Sequence, residues 1–213
     1  MSATSFSAED YEVIREGCRR SADAALEGIM RGTTGIQRGS RVVDVGCGEG
    51  WWGKAFADQL GCEVLGLDGA GCEPLIPFRE VDLERPLPLK DLGEFDLAVC
   101  LEVAEHLPPG RADSFIADLC ELAPLILFSA AIPGQGGMGH LNEQWPGYWV
   151  ERFAIHGFRC SGDLRWRIWD DDRIENWYRQ NLILATSRAD VYEFLRLSVQ
   201  PVVHPVLYDA RRA

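Results

Sequence analysis

The stretch "VVDVGCGEG", residues 42–50, sets β-branched residues against three glycines, with one acid between them. Such an apolar run reads as a buried strand. Gly46, Gly48 and Gly50 then read as a turn whose backbone comes close to a ligand. In open α/β sheets such turns lie at the carboxyl end of a strand, and the next helix points its N-terminus at what is bound there. A dinucleotide site would want G-x-G-x-x-G, with its third glycine at position 51, where this chain has Trp51. Here the glycines fall at every second position, Asp44 precedes the first by two, and the Trp51–Trp52 pair would crowd a pyrophosphate.

Outward from that turn, short apolar runs alternate with helical stretches. Strands are predicted at 41–45, 62–67, 78–81, 95–101, 125–131, 158–163 and 181–185, and helices at 51–60, 111–122 and 146–156. The last helix has proline in its first turn and Gly157 just beyond its end. A further helix is predicted over 7–31: Ser7 and Asp10 form a capping pattern, and Tyr11, Ile14, Cys18, Ala22, Ala25 and Ile29 recur at helical spacing. The expected fold is α/β: a Rossmann-like, mostly parallel seven-stranded sheet with helices on both faces and the last strand antiparallel. The final two runs are expected to close as an antiparallel hairpin at one edge. Residues 1–36 form an N-terminal helical segment that could serve as a lid, 37–187 the sheet domain, and 188–213 a tail.

The formal charge of −12 argues against nucleic acid as a partner, since binding phosphates by counterion release needs basic residues. No apolar run approaches the ~20 residues of a membrane span, so no membrane partner is expected. The first residues carry neither a basic start nor an apolar core, so no secretion signal is read there. Seven scattered cysteines without a C-x-x-C pair suit a reducing compartment, and a cytoplasmic location is expected.

Downstream, Asp68 ends the second strand in "CEVLGLDGAG", Asp82 follows the third in "FREVDLERPLP", "FDLAVCLEVAEHLP" covers the fourth strand and its exit, and "PLILFSAAIPG" the fifth. With the glycine turn, these motifs over about residues 40–160 resemble the class I S-adenosylmethionine-dependent methyltransferases. The resemblance implies S-adenosylmethionine as cofactor. It places Gly46 and Gly48 along the methionine part with Asp44 anchoring the loop, Asp68 on the ribose hydroxyls, and Asp82 with the Leu83 backbone on the adenine. Glu102, at the end of the fourth strand, would lie near the methionine part.

On the acceptor side, "GQGGMGHLNEQWPGYW" follows the fifth strand, and its glycines suit a loop that closes over a substrate. His140 is the expected base or substrate contact, with Glu143 in the same loop as a second catalytic candidate. "GHLNEQWPGYW" also resembles a subgroup found among glycan- and natural-product-tailoring enzymes, which often carry serine where this chain has Gly147. His106, His156 and His204 are given no catalytic part. Residues 163–181 interleave Trp166, Trp169 and Trp177 with Arg165, Arg167, Arg173 and Arg179, which suits sugar stacking, nucleotide phosphates or a subunit interface. Asp170–Asp172 reads as a solvated turn, and no metal is assigned.

The expected activity is methyl transfer to a small molecule, as O-methylation of a sugar, nucleotide-linked or natural-product acceptor, by a monomer or homodimer. The alternatives are a catalytically silent cofactor-binding subunit, a protein methyltransferase and, against the missing glycine, a nicotinamide enzyme.

Overall fold

A computed structural model describes residues 8–29, 34–69, 71, 73–192 and 197–210. Seven strands, β1 (Arg41–Val45), β2 (Glu63–Asp68), β3 (Phe78–Glu80), β4 (Leu97–Leu101), β5 (Leu125–Ser129), β6 (Arg159–Ser161) and β7 (Ile183–Thr186), make one sheet in the order β3-β2-β1-β4-β5-β7-β6. β1 to β5 run parallel, while β7 is antiparallel to both β5 and β6. This is the expected Rossmann-like sheet. The strands are mostly shorter than the apolar runs predicted for them.

The central strands are apolar throughout because both faces are covered, as a parallel sheet requires. Val43, Val45, Ala98, Cys100, Ile126 and Phe128 face one core, joined by α3 (Ala112–Leu122) and α4 (Pro146–Ile155) through Phe115, Ile116, Trp149 and Phe153. The alternate residues Val42, Leu97, Val99, Leu125 and Leu127 face the other. There they meet α1 (Ala8–Ile29) through Ala22, Ala25, Leu26 and Ile29, and α2 (Trp51–Ala55) through Trp52 and Ala55. The predicted helix at 51–60 forms as α2 followed by a wider π-helical turn, Phe56–Leu60. The helix predicted over 7–31 is α1; the cap expected at Ser7 lies outside the described residues.

The predicted terminal hairpin forms with a long connection. β6 and β7 pair antiparallel, with β6 at the edge, but α5 (Asp163–Ile168) and α6 (Asn176–Asn181) lie between them. Two turns of helix each are too short for periodicity to announce. α7 (Ala189–Tyr192) and α8 (Pro205–Ala210) complete the described chain, and the segment before α8 is tied down. Asp163 accepts from the Leu197 N–H, and the buried Arg165 donates to the Gln180 and Gln200 carbonyls.

Phe128 is fully buried, with Trp149 and Phe153 rings at 5.3 and 5.4 Å. Phe128→Ala removes a ring from a packed core and should lower the free energy of unfolding by about 3–5 kcal/mol, read from chemical denaturation.

Candidate active site

β1 lies between β2 and β4, so the chain's crossovers leave β1 in opposite directions and open a crevice at the strands' carboxyl ends. A cavity of about 300 Å³ fills it. Asp44, Gly46, Gly48, Asp68, Glu102 and His140 all line this cavity, brought together from four separate stretches of chain. Asp82, Leu83 and Glu143 are not in its lining. Asp82 is half exposed and paired with Arg85, and the Leu83 carbonyl accepts from Arg111 Nε.

The glycine turn is built for close approach. Gly46 has φ +75°, and a Cβ there would stand 2.4 Å from Val103 Cγ2. Its N–H donates to the Leu67 carbonyl, while the Gly48 N–H donates to Asp68 Oδ2 at 2.6 Å. Asp68 Oδ1 accepts from the Gly69 N–H. Asp44 is only 4% exposed, and its Oδ2 accepts from Gly53 N–H at 2.9 Å, pinning the glycine turn to α2. Burial pushes Asp44 up to about 7, although the Gly53 bond opposes it. Burial also raises Asp68 and Glu102 above ordinary carboxylate values.

Glu102 follows β4 with φ +56°, a left-handed backbone that strains any side-chain-bearing residue. Its N–H donates to Ser129, and its carboxylate accepts from Gln135 Nε2 and Asn181 Nδ2 at 3.0 and 3.1 Å. Three residues on, the fully buried Glu105 ties this exit to the one after β5. Its carbonyl accepts from the Leu141 and Asn142 N–H groups, and its Oε1 from Ala131 N–H.

That tie carries His140 to the cavity. Glu143 Oε2 accepts from the Gly134 N–H, and Oε1 from both the Gly136 N–H and His140 Nδ1, each at 2.8 Å. Burial works against it, but these bonds hold Glu143 below the usual carboxylate range. An ionised carboxylate only accepts, so in the neutral ring Nδ1 carries the hydrogen and Nε2 the lone pair. Glu143 thus positions His140 without touching the cavity. The His106 ring packs edge-on against His140 at 4.9 Å; burial and that neighbour lower it to about 4.

Several lining residues escaped sequence reasoning. Ile14, Arg15 and Cys18 of α1 close one side, and Arg15 makes a two-pronged ion pair with Glu49 of the glycine turn. Glu105, His106, Gln135 and Tyr178 complete the wall. The clustering of Glu102, Glu105 and His106 just past a predicted strand was a readable signal; Gln135 and Tyr178 had none. Of residues 163–181, Trp177 and Tyr178 reach the cavity. Arg165 and Arg179 are buried, the latter donating to the Trp169 carbonyl, and Arg173 is exposed but paired with Asp171. Trp166 and Trp169 stack on one another away from the cavity, and Trp169 packs on the buried His204.

Residues 18–170 match the sequence profile of a family described as a methyltransferase domain. The chain belongs to that family. It carries an S-adenosylmethionine-dependent methyltransferase domain, and S-adenosylmethionine is its cofactor. Among curated relatives, ubiquinone biosynthesis O-methyltransferases are similar: that of Bordetella avium is 36% identical over 86 residues, 35% of each chain. That of Bordetella parapertussis is 33% identical over 115 residues, 48% of this chain and 47% of its own. The chain thus spans between a third and a half of the length of these relatives. Among solved structures, an S-adenosylmethionine-dependent methyltransferase from Archaeoglobus fulgidus overlays with TM-score 0.59 at 19% identity, covering 84% of this chain and 97% of that one. Magnesium protoporphyrin IX methyltransferase from Synechocystis, solved with S-adenosylmethionine, gives 0.57 at 20% identity, with 83% of each chain covered. Both share the fold.

Bound in this cavity, the sulfonium of S-adenosylmethionine would be a cation beside carboxyls whose pKa values burial raises. Cation binding favours their charged forms, so it expels protons and strengthens as pH rises, levelling off above about 7, where Asp44 ionises unaided. Calorimetric titration with S-adenosylmethionine at about pH 5.5 and about pH 8 should show tighter binding at the higher pH, and Asp44→Asn should flatten that difference.

Gly46→Ala forces a Cβ into Val103 at a positive φ. Cofactor affinity in the same assay should fall at least about tenfold.

Proposed function

We propose that the protein transfers the methyl group of S-adenosylmethionine to a hydroxyl oxygen of a small-molecule acceptor. The supporting observation is the His140–Glu143 pair, whose Nε2 carries a lone pair in the same cavity as the glycine turn. An alcohol holds its proton tightly, so a positioned base matters more for it than for a neutral amine. The hydroxyl proton passes to His140 Nε2, and the resulting imidazolium is stabilised by the Glu143 carboxylate. The oxygen–methyl bond forms as the sulfur–methyl bond breaks, and the electron pair stays on sulfur, leaving S-adenosylhomocysteine. The curated relatives named above, O-methyltransferases of ubiquinone biosynthesis, agree with oxygen as the target.

For the acceptor we favour a sugar or natural-product hydroxyl. Trp51, Trp177 and Tyr178 give the cavity aromatic walls on which an uncharged ring can stack, while the net charge of −12 repels polyanions. A nucleotide-linked acceptor is less well served, since three of the arginines expected to hold phosphates are buried or paired. We take α1 as the lid, closed by the Arg15–Glu49 pair.

Methyl-labelled S-adenosylmethionine incubated with a panel of glycosides and phenolic metabolites should yield a labelled ether. Turnover at saturating acceptor should fall about 10²–10⁴-fold in His140→Ala, with cofactor affinity kept. Asp68→Ala should instead lose cofactor binding. Full turnover in His140→Ala removes the base from this account; label found only in proteins of a whole extract would replace the small molecule with a macromolecular acceptor.

A further inference from the structure

Glu105, His106 and His140 bring a carboxylate oxygen and two imidazole nitrogens within 4.8 Å of one another at the cavity wall. Glu105 is 0% exposed, and among the described residues no N–H group donates to its Oε2, whose polar neighbour is the Glu102 carboxyl. A buried acceptor left unmatched is costly. Glu102 places a second carboxyl beside it, and among the described residues no lysine or arginine pairs with either. Two carboxyls and two imidazoles without a counter-cation are the ordinary surroundings of a metal ion.

We propose that Glu105, His106 and His140 form a binding site for one divalent first-row metal ion, open toward the cavity beside Glu102. Mixed imidazole and carboxylate donors suit manganese, iron or zinc better than an all-oxygen ion such as calcium. Ligand bonds of about 2.1 Å let two donors stand at most about 4.2 Å apart across one ion. The observed 4.8 Å therefore calls for a small inward shift. His140 sits on the glycine-rich loop that can supply it. The orienting partners are in place: Nδ1 of His140 is committed to Glu143, leaving Nε2 to bind, and the Gly139 backbone bonds the His106 ring.

The ion's catalytic use rests on the methyl-transfer reading; its binding does not. Held by the ion, the acceptor hydroxyl becomes more acidic and gives its proton to water, and His140 serves as a ligand in place of a base. The oxygen then takes the methyl from sulfur as before.

Chelator-stripped protein, without S-adenosylmethionine, is titrated with Mn²⁺, followed by loss of the free-ion paramagnetic resonance signal, and with Co²⁺, followed by visible absorption. One equivalent should bind. Glu105→Gln, His106→Gln and His140→Gln should each weaken binding at least about tenfold, and Glu143→Gln about 10–100-fold. Changing Asp170 and Asp172 to asparagine should leave it unchanged. Thermal unfolding reports whether each variant is folded; the half-buried loop residue His140 is the variant to rely on should the buried sites fail. The proposal is overturned when neither ion reaches one equivalent, in which case Glu102 and Glu105 share a proton instead. It is equally overturned when His140→Gln binds as the wild type does. Full methylation in excess chelator overturns the ion's catalytic use and leaves the methyl-transfer reading standing. Stoichiometric binding with no turnover on any acceptor leaves the ion site standing and overturns the methyl-transfer reading together with the ion's catalytic use.

Discussion

Glu105 ties the exit of β4 to the exit of β5, and the acceptor side of the site depends on that tie. Its carbonyl takes two N–H groups from the start of the His140 loop's descent, and its side chain takes a third from Ala131. The glycine-rich segment 134–139 is held besides by Gln135, whose side chain bonds Glu102, Gln180 and Asn181. Glu143 finishes the job from inside the loop, gathering the Gly134 and Gly136 N–H groups and His140 on one carboxylate. A loop rich in glycine loses much entropy on ordering. Charge-assisted bonds to a shared acceptor are the means to offset it.

The cofactor side is held differently. Both faces of β1, β4 and β5 are packed against helices, so these strands cannot shift without opening a core. Their carboxyl ends therefore present Gly46, Glu102 and the 131–140 segment at fixed offsets. Asp44 and Asp68 sit behind the turn and use their oxygens on backbone N–H groups, which spends part of each carboxylate on architecture. A sulfonium cannot hydrogen-bond; it is recognised by field alone. On the proposed cofactor placement, buried carboxylates at the strand ends would provide that field with little competing solvent.

Asp44, Asp68 and Glu102 were singled out through the family resemblance, whereas the mostly parallel sheet was legible because it rests on local signals, β-branched runs and a glycine turn. α5 and α6 were not, since six-residue helices leave no periodic trace. The arginines of 163–181 misled for a related reason. Composition shows that a stretch is basic, whereas direction is set by packing: Arg165 turns inward to the Gln180 and Gln200 carbonyls. His106 was given no catalytic part although it clusters with Glu102 and Glu105, because nothing local announces its 4.9 Å approach to His140.

Glu102 shows how the late part of the chain supports the early part. Its left-handed backbone costs of order 1–3 kcal/mol for a residue with a side chain. Such strain persists only where the surroundings over-determine it. Here Ser129 holds the backbone, while Gln135 and Asn181 hold the carboxylate. Asn181 also donates to Gln135, Gln180 donates to both, and the Gln180 oxygen accepts from the His204 N–H. A continuous set of bonds therefore runs from the segment before α8 to the end of β4. The tail, which the sequence set apart from the sheet domain, is built into the support of a cavity carboxylate. The strain at Glu102 places that carboxylate at the cavity wall, and Gln180, Asn181 and His204 stabilise the arrangement.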